Sequence, residues 1–141
     1  MNADAFLLEL RIRALSPAEL ASIGKTVQNY ELTAPFTFAS KAAGMILVPA
    51  GFVTDFASVP RIVWSYISPE DPAILFASVI HDFLYTRGGR IGSDLAVSRA
   101  VADAVLREGM LASGARPAQA WVVFRSVRLF GASHWNGRAE S

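Results

Sequence analysis

A histidine and an aspartate stand side by side in the apolar segment VIHDFLYTRGG, residues 79–89, and a tyrosine follows four positions after the histidine. The surrounding apolar residues recur with helical spacing, and on a helix each residue advances by about 100°. His81 and Tyr85 are then neighbours at i and i+4, and Asp82 faces Tyr85 at i+3. Because His81 and Asp82 point about 100° apart, we expect them to line two adjoining walls of one pocket.

A further carboxylate, Asp103, lies on the next predicted helix, one turn after Arg99. If the two helices pack antiparallel across the 88–94 loop, Asp103 comes to lie against the ring of His81. His81 is then a candidate general base whose tautomer Asp103 fixes, and Asp82 is available to bind a cation or to orient water. In the alternative interpretation His81 is a core histidine with satisfied hydrogen bonds, and Asp82 forms an internal salt bridge. Two basic residues are candidate partners for that salt bridge: Arg61 and Arg87.

The segment VPAGFVTDFASVPR, residues 48–61, predicts a tightly shaped loop that leaves a sheet. Asp55 and Ser58 fit an Asx-type turn or a cap, which is a structural role. The same loop fits equally well as the opposite wall of the histidine pocket. The residues that would then form the wall are Thr54, Asp55, Ser58 and Arg61 from the loop and Arg99 from the second helix.

Several classes of site are excluded by what the chain lacks. It has no cysteine, which excludes a disulfide framework, a thiolate zinc site and a cysteine nucleophile. Metal-dependent phosphohydrolases with a His-Asp pair need at least one further histidine ligand upstream, and no histidine precedes His81. The Gly-x-Ser-x-Gly motif of a serine nucleophile is also absent. A net charge of +1 predicts no nucleic-acid partner. We interpret the arginines near the C-terminus as a solvated helix face: Arg116, Arg125, Arg128 and Arg138.

Length and composition predict one domain over residues 1–141, with a strand-rich segment over residues 1–65, a helical segment over residues 70–131 and a short tail over residues 132–141. Hydrophobic residues make up 52% of the chain, which indicates a dense core, a protein partner or a lipid-facing surface. The longest uncharged window, 42–54, is too short for a transmembrane segment. No signal peptide is predicted, so synthesis in a host cytoplasm is expected.

The predicted fold class is α+β, with a small antiparallel sheet followed by about three packed helices. Ser16 and Glu19 form the pattern of a capping box. The predicted strands are residues 5–13, 29–38 and 45–49, with a turn at 39–44. The first long helix should begin after Asp71 and end at Gly88-Gly89, with an apolar face of Ile74, Ala77, Ile80 and Leu84.

Two more helices are predicted to follow. Ser93 or Asp94 would cap the second, which should stop at Gly114 and carry an apolar stripe of Leu95, Val101, Val105, Leu106 and Met110. The third should run from Pro117 to Phe130. Its large side chains predict a surface for self-association or for a partner: Trp121, Phe124 and Phe130. Residues 131–137 are expected to be a C-terminal packing segment.

The motifs VPAGFVTDFASVPR, a following tryptophan (Trp64), HDFLY and SRAVADAVL (98–106) resemble the phage and prophage family of domain of unknown function 1353. The resemblance extends from about residue 27 to residue 131. It implies an origin in a tailed phage, a prophage or a gene-transfer particle, and hence a location in a virion or phage-like particle. It implies no activity.

A second resemblance bears on chemistry. The segment HDFLYTR followed by ADAVL is similar to the catalytic segment of secretory phospholipases of type A-two, above all the parvoviral form. It implies that His81 activates water for attack on a phospholipid ester. Asp103 would orient His81, Tyr85 would brace the site, and Asp82 would hold calcium. Residues 49–55 would supply further calcium ligands, Asp55 and the backbone of Gly51. No organic cofactor is predicted.

Three functions are therefore open from the sequence. The first is a small hydrolase that acts on a phospholipid or another ester. The second is a non-catalytic structural or assembly component of a phage particle, in contact with other particle proteins. The third is a module that binds a host factor or a small ligand.

Overall fold

The N-terminal half of the chain forms two small antiparallel sheets. The structure is a computed structural model that describes residues 9–56, 58–67, 71–92 and 95–135, without the side chains of residues 61, 64 and 72. The strands are β1 (Ile12–Ala14), β2 (Tyr30–Leu32), β3 (Phe36–Ser40), β4 (Gly44–Val48) and β5 (Val53–Thr54). One sheet has the order β1-β2-β5, and β3 pairs with β4 as a hairpin. Residues 5–8 of the first predicted strand lie outside the described residues.

The β3–β4 hairpin shows why these residues form strands. Alternate side chains of β3 are buried, and Phe38 stands opposite Ile46 on the buried face. Gly44, whose φ of 81° suits glycine, begins β4 after the turn. The predicted single strand over 29–38 is two strands, β2 and β3, which belong to different sheets. The break includes Pro35, which has no N–H to donate to a ladder.

The helices are α1 (Pro17–Ser22), α2 (Arg61–Tyr66), α3 (Pro72–Thr86), α4 (Arg99–Ala112) and α5 (Pro117–Phe130), and a 3-10 turn follows at Ala132–His134. The predicted α+β class is confirmed. The capping box of α1 is present, since the Glu19 N–H donates to Ser16 Oγ at 3.2 Å and the Ser16 N–H donates to Glu19 Oε1 at 2.9 Å. Asp71 caps α3 through the Ala73 N–H, as predicted. The short helix α2 was not predicted.

The start of α4 differs from the prediction. Ser98 is its N-cap and accepts from the Val101 N–H at 3.2 Å, whereas the predicted caps, residues 93 and 94, lie outside the described residues. Leu95, expected in the apolar stripe of α4, precedes the helix and is 55% exposed. The stripe therefore starts later, at the half-buried Val101, and continues through the buried Val105, Leu106 and Met110. The extended backbone of a cap residue stops the helix from reaching further back.

Helix α3 lies between the two halves of the core. Towards the strands it packs Val79, Ile80 and Leu84 into an apolar cluster with residues of the β3–β4 hairpin. Towards α4 and α5 it packs Ile74 and Ala77 into a second cluster. The predicted apolar face of α3 is thus fully buried, and burial of each large aliphatic side chain stabilises the fold by roughly 1.5–3 kcal/mol. Among the helices of the described residues, none has the length and apolar character needed to cross a membrane.

Candidate functional site

The packing of α3 against α4 brings His81 and Asp103 into contact. Nε2 of His81 lies 2.8 Å from Oδ1 of Asp103, and neither side chain is exposed to solvent. The apolar neighbours of each residue fix the rotation of its helix, and this rotation turns the two polar side chains towards each other. The contact predicted from the sequence is therefore present.

Asp103 is the acceptor at the centre of a buried polar network. Besides His81, it accepts hydrogen bonds from the Tyr85 hydroxyl at 2.5 Å and from Arg128 Nη1 at 2.7 Å, while Arg99 Nη1 lies 3.4 Å away. Burial alone would raise the pKa of Asp103, but the hydrogen bonds and charges of these partners outweigh burial and lower the pKa. Asp103 is therefore held as a carboxylate.

Tyr85 braces both the histidine and the carboxylate. Its ring centroid lies 4.2 Å from that of His81, and its hydroxyl also accepts from Arg99 Nη1 at 3.2 Å. Burial and the neighbouring charge of Asp103 raise the pKa of Tyr85, so the phenol stays protonated and acts as a donor. The ring of Tyr85 packs nearly perpendicular to that of Trp135 at a centroid distance of 5.1 Å, so the predicted C-terminal packing segment does contribute a residue that contacts Tyr85.

Two arginines connect the network to the end of α5. Arg99 donates to the carbonyl groups of Val127 at 3.2 Å and of Arg128 at 2.9 Å, near the C-terminal end of that helix, where a positive charge is favoured. Arg99 was predicted to line the site. Arg128 was interpreted as belonging to a solvated face, and the structure places its guanidinium on Asp103. No spacing signal identifies Arg128, because the packing of α5 on α4 decides which face turns inward.

The other ring nitrogen of His81 faces the loop after β5. Nδ1 lies 3.1 Å from Oγ of Ser58, a side chain only 2% exposed. Both ring nitrogens of His81 therefore have a protein partner, one on each side of the ring. Ser58 was predicted as a wall residue of the pocket, and direct contact with the imidazole was not foreseen.

Asp82 faces the same loop as Ser58 but contacts different atoms. Its Oδ2 accepts from the Thr54 hydroxyl at 2.5 Å, and its Oδ1 accepts from the Ser58 N–H at 3.4 Å. Burial raises the pKa of Asp82, and the charge of Asp55 adds to this increase, against the opposing effect of the Thr54 and Ser58 hydrogen bonds. In the alternative interpretation Arg87 was one of two candidate ion-pair partners of Asp82, but its Nε donates to the Arg90 carbonyl at 3.1 Å. The side chain of Arg61 lies outside the described portion of the structure.

The loop from Thr54 to Ser58 is shaped by a side-chain turn. Thr54 Oγ1 accepts from the Phe56 N–H at 3.0 Å and donates to Asp82 Oδ2, so the Thr54 side chain both forms the turn and ties it to α3. Phe56 has a φ of 61°, an unfavourable value for a residue with a bulky side chain. Its carbonyl accepts from the Val59 N–H at 3.2 Å. The residue spacing gives no signal for these contacts on either side of Ser58.

The predicted calcium ligands are only partly brought together. Asp82 and the half-buried Asp55 influence each other electrostatically, while Gly51 lies in an exposed turn with a φ of 91° and donates its N–H to the Leu32 carbonyl at 2.8 Å. Within residues 9–56, 58–67, 71–92 and 95–135, no group of three or more histidine or acidic side chains is arranged to hold a metal ion. Calcium binding stays a prediction.

A comparison with protein-family models gives one match relevant to this site. The model of DUF1353, described as a protein of unknown function, matches residues 30–127. The chain belongs to the DUF1353 family. The DUF1353 match includes Ser58, Asp82 and the His81–Asp103 pair, and it ends one residue before Arg128. No curated protein and no solved structure matches the chain.

Proposed function

We propose that this DUF1353 protein is a small ester hydrolase in which His81 is the general base. The observation that carries the proposal is the hydrogen bond between His81 Nε2 and Asp103 Oδ1 at 2.8 Å, together with the opposite placement of Nδ1 towards the 54–58 loop. A base needs one nitrogen oriented by a partner and the other directed to the proton that it removes.

The charge around His81 suits this role. When His81 takes up a proton it becomes a cation, and the carboxylate of Asp103 stabilises that cation and holds the ring in one orientation. Tyr85 and Arg128 in turn hold the carboxylate in place, through bonds of 2.5 Å and 2.7 Å. General-base catalysis of this kind contributes about 10²–10⁴-fold to a rate.

The most concrete substrate class is a carboxylic ester of a phospholipid. The resemblance of the His-Asp-x-x-Tyr helix and the following Ala-Asp helix to phospholipases of type A-two supports this choice. Access of a substrate to this site requires a movement of the surrounding chain, because Ser58 is 2% exposed and His81 is fully buried. Calcium binding at Asp82 belongs to the same proposal, but the proposed role of His81 does not depend on a bound metal ion.

The test uses two matched histidine substitutions. Purified protein is mixed with phospholipid vesicles, with millimolar calcium or with a chelator, and with a soluble p-nitrophenyl ester, and released fatty acid or nitrophenol is measured. His81→Asn should lower the rate by about 10²–10⁴-fold, whereas His134→Asn, at an exposed position, should leave it unchanged. Equal rates for both variants, or no hydrolysis by the unaltered protein, would contradict the proposal.

A second candidate function is a structural component of a phage or phage-like particle. The complete burial of His81 and Asp103 favours it, because a buried polar network that is fully bonded also stabilises a unique fold. In this case His81→Asn should lower the melting temperature, and the amount of protein in purified particles should fall in step with the folded fraction. If the variant melts normally but has lost hydrolysis, the structural candidate fails and the hydrolase is supported.

A further inference from the structure

The imidazole of His81 lies between the side chains of Ser58 and Asp103, and each of them contacts one ring nitrogen. Ser58 Oγ lies 3.1 Å from Nδ1, and Asp103 Oδ1 lies 2.8 Å from Nε2 on the other side of the ring. We infer that Ser58 is the nucleophile of the hydrolysis and that it attacks the ester carbonyl itself, instead of a water molecule activated by His81. This inference rests on the proposed function.

The hydrogen bonds around Asp103 determine the direction of proton transfer. Asp103 accepts from Tyr85 and Arg128, and as a carboxylate it has no hydrogen to donate to His81. Nε2 must therefore carry the hydrogen and donate it to Asp103. Nδ1 of the neutral ring is left as an acceptor, and the Ser58 hydroxyl donates to it. This is the arrangement in which a serine can lose its proton to a histidine.

The loop holds Ser58 at two points. The backbone N–H of Ser58 donates to Asp82 at 3.4 Å, and its hydroxyl meets His81 at 3.1 Å, so the two adjacent residues of the His-Asp pair fix one serine. Two residues earlier, Phe56 has a φ of 61°, a conformation that persists only when its surroundings enforce it. A strained turn just before the serine is consistent with a positioned nucleophile, although the Gly-x-Ser-x-Gly motif is absent.

The reaction proceeds in two balanced steps. In the first, Ser58 Oγ bonds to the ester carbonyl carbon, its proton moves to His81 Nδ1, and the bond to the alcohol oxygen breaks as that oxygen takes the proton from Nδ1. An acyl group is then attached to Ser58. In the second step water attacks this acyl group and gives a proton to Nδ1, which returns it to Ser58 Oγ as the carboxylic acid leaves. Water is the co-reactant and no oxidant or reductant is needed.

Covalent labelling of the full chain tests the nucleophile directly. An alkyl fluorophosphonate reacts with a serine that is activated by a histidine, and mass spectrometry of peptides identifies the modified residue. We expect the label on Ser58 in the unaltered protein and in Ser65→Ala, a control at an exposed serine of α2. We expect no label in Ser58→Ala or in His81→Asn. If the unaltered protein hydrolyses the ester but Ser58 carries no label, the inference is overturned.

Kinetics separate this inference from the proposed function. With a p-nitrophenyl ester, Ser58→Ala should lose at least about 10³-fold in rate and the burst of product that marks an acyl-enzyme, and its melting temperature is measured alongside to verify folding. If Ser58→Ala hydrolyses the ester normally while His81→Asn is inactive, the nucleophile inference fails and His81 activates water. If the unaltered protein hydrolyses no ester, both proposals fail together.

Discussion

The hydroxyl of Tyr85 donates to Oδ1 of Asp103 at 2.5 Å, and that same oxygen lies 2.8 Å from Nε2 of His81. Tyr85 and His81 are one helical turn apart on α3, so a single helix supplies two donors to one carboxylate oxygen of α4. The oxygen is thereby held from two directions, which restricts the rotation of the carboxylate and of the imidazole.

Tyr85→Phe removes one of these donors and leaves the aromatic ring in place. We expect the free energy of unfolding to fall by about 1.5–3 kcal/mol, because a hydrogen bond to a charged group is lost in a buried site. We also expect slower ester hydrolysis. Chemical denaturation measures the stability, and Tyr66→Phe, at a tyrosine that is 58% exposed, is the matched control. Equal stability of the two variants would show that the Tyr85 hydroxyl contributes nothing to the network.

Asp103→Asn should destabilise the protein strongly at neutral pH. The substitution leaves Arg128 and Arg99 without their carboxylate, and removing one member of a buried ion pair costs about 3–5 kcal/mol. Because the pKa of Asp103 is lowered in the folded state, its contribution is present above the ordinary carboxyl pKa of about 3.9 and is lost as the pH falls through the folded value.

Melting curves recorded between neutral and acid pH therefore check both the size and the sign of the Asp103 effect. The difference between the unaltered protein and Asp103→Asn should be large at pH 7 and should shrink below about pH 4. Glu9→Gln, at an exposed carboxylate that pairs with Arg11 on the surface, should change the melting temperature little at any pH. A difference that grows towards acid pH is incompatible with a lowered pKa.

Asp82→Asn should have the opposite pH dependence. The pKa of Asp82 is raised in the folded state, so protonation favours folding, and this stabilisation is lost as the pH rises through the folded value. The neutral amide keeps an oxygen for the Ser58 N–H and offers its NH₂ group to Thr54 Oγ1. We expect the variant to melt above the unaltered protein at pH 8, by about 2–4 °C for each kcal/mol gained, with a gap that narrows towards acid pH.

The same variant tests the predicted calcium site. If Asp82 binds calcium, millimolar calcium should raise the melting temperature of the unaltered protein, because an ion that binds only the folded state stabilises it. Asp82→Asn should show no such increase. Magnesium at the same concentration controls for ionic strength. An equal increase in both proteins would mean that calcium binds elsewhere.

Gly131→Ala should disturb the site from its C-terminal side. A methyl group at Gly131 would lie 2.6 Å from the Val127 carbonyl oxygen and 3.0 Å from the Tyr85 hydroxyl, and the carbonyl belongs to the rigid backbone of α5. We expect a loss of about 1–3 kcal/mol, as for other overpacked positions, measured by denaturation. Gly92→Ala is the control, because nothing lies within 4 Å of its added methyl group. Similar stabilities would show that the end of α5 adjusts without cost.

Exposed apolar side chains of α5 should mediate association. Of the residues predicted for this surface, Trp121 and Phe130 are 48% and 61% exposed, whereas Phe124 is half-buried. Leu129, which was not predicted, is 64% exposed. Sedimentation equilibrium should show a mass above that of the monomer, and Leu129→Glu should reduce it. Leu47→Glu, at a residue of β4 that is 50% exposed, should leave the measured mass unchanged. A monomeric unaltered protein would remove this prediction.

Local sequence patterns were sufficient to predict the three long helices, α3, α4 and α5, but not the short helix α2. Asp71 caps α3 as predicted, and α5 runs from Pro117 to Phe130 as predicted, because capping groups, prolines and apolar periodicity act over a few neighbouring residues. The same periodicity fixed the faces of α3 and α4, and this was enough to place His81 against Asp103. The predicted start of α4 was wrong because several polar residues before it were able to cap, and only packing selected Ser98.

The identity of the other contacts depended on tertiary structure. Ser58 reaches His81 because the turn between Thr54 and Phe56 bends the loop back over α3, and no spacing in the sequence encodes that path. Arg128 reaches Asp103 because α5 packs with one face inward, although its arginines look alike in the sequence. The sequence by itself determined that three long helices form and which residues can do chemistry, since these depend on local propensity and residue type. The partners of each polar group were decided by long-range packing, because a buried group bonds to whatever the fold brings within about 3 Å.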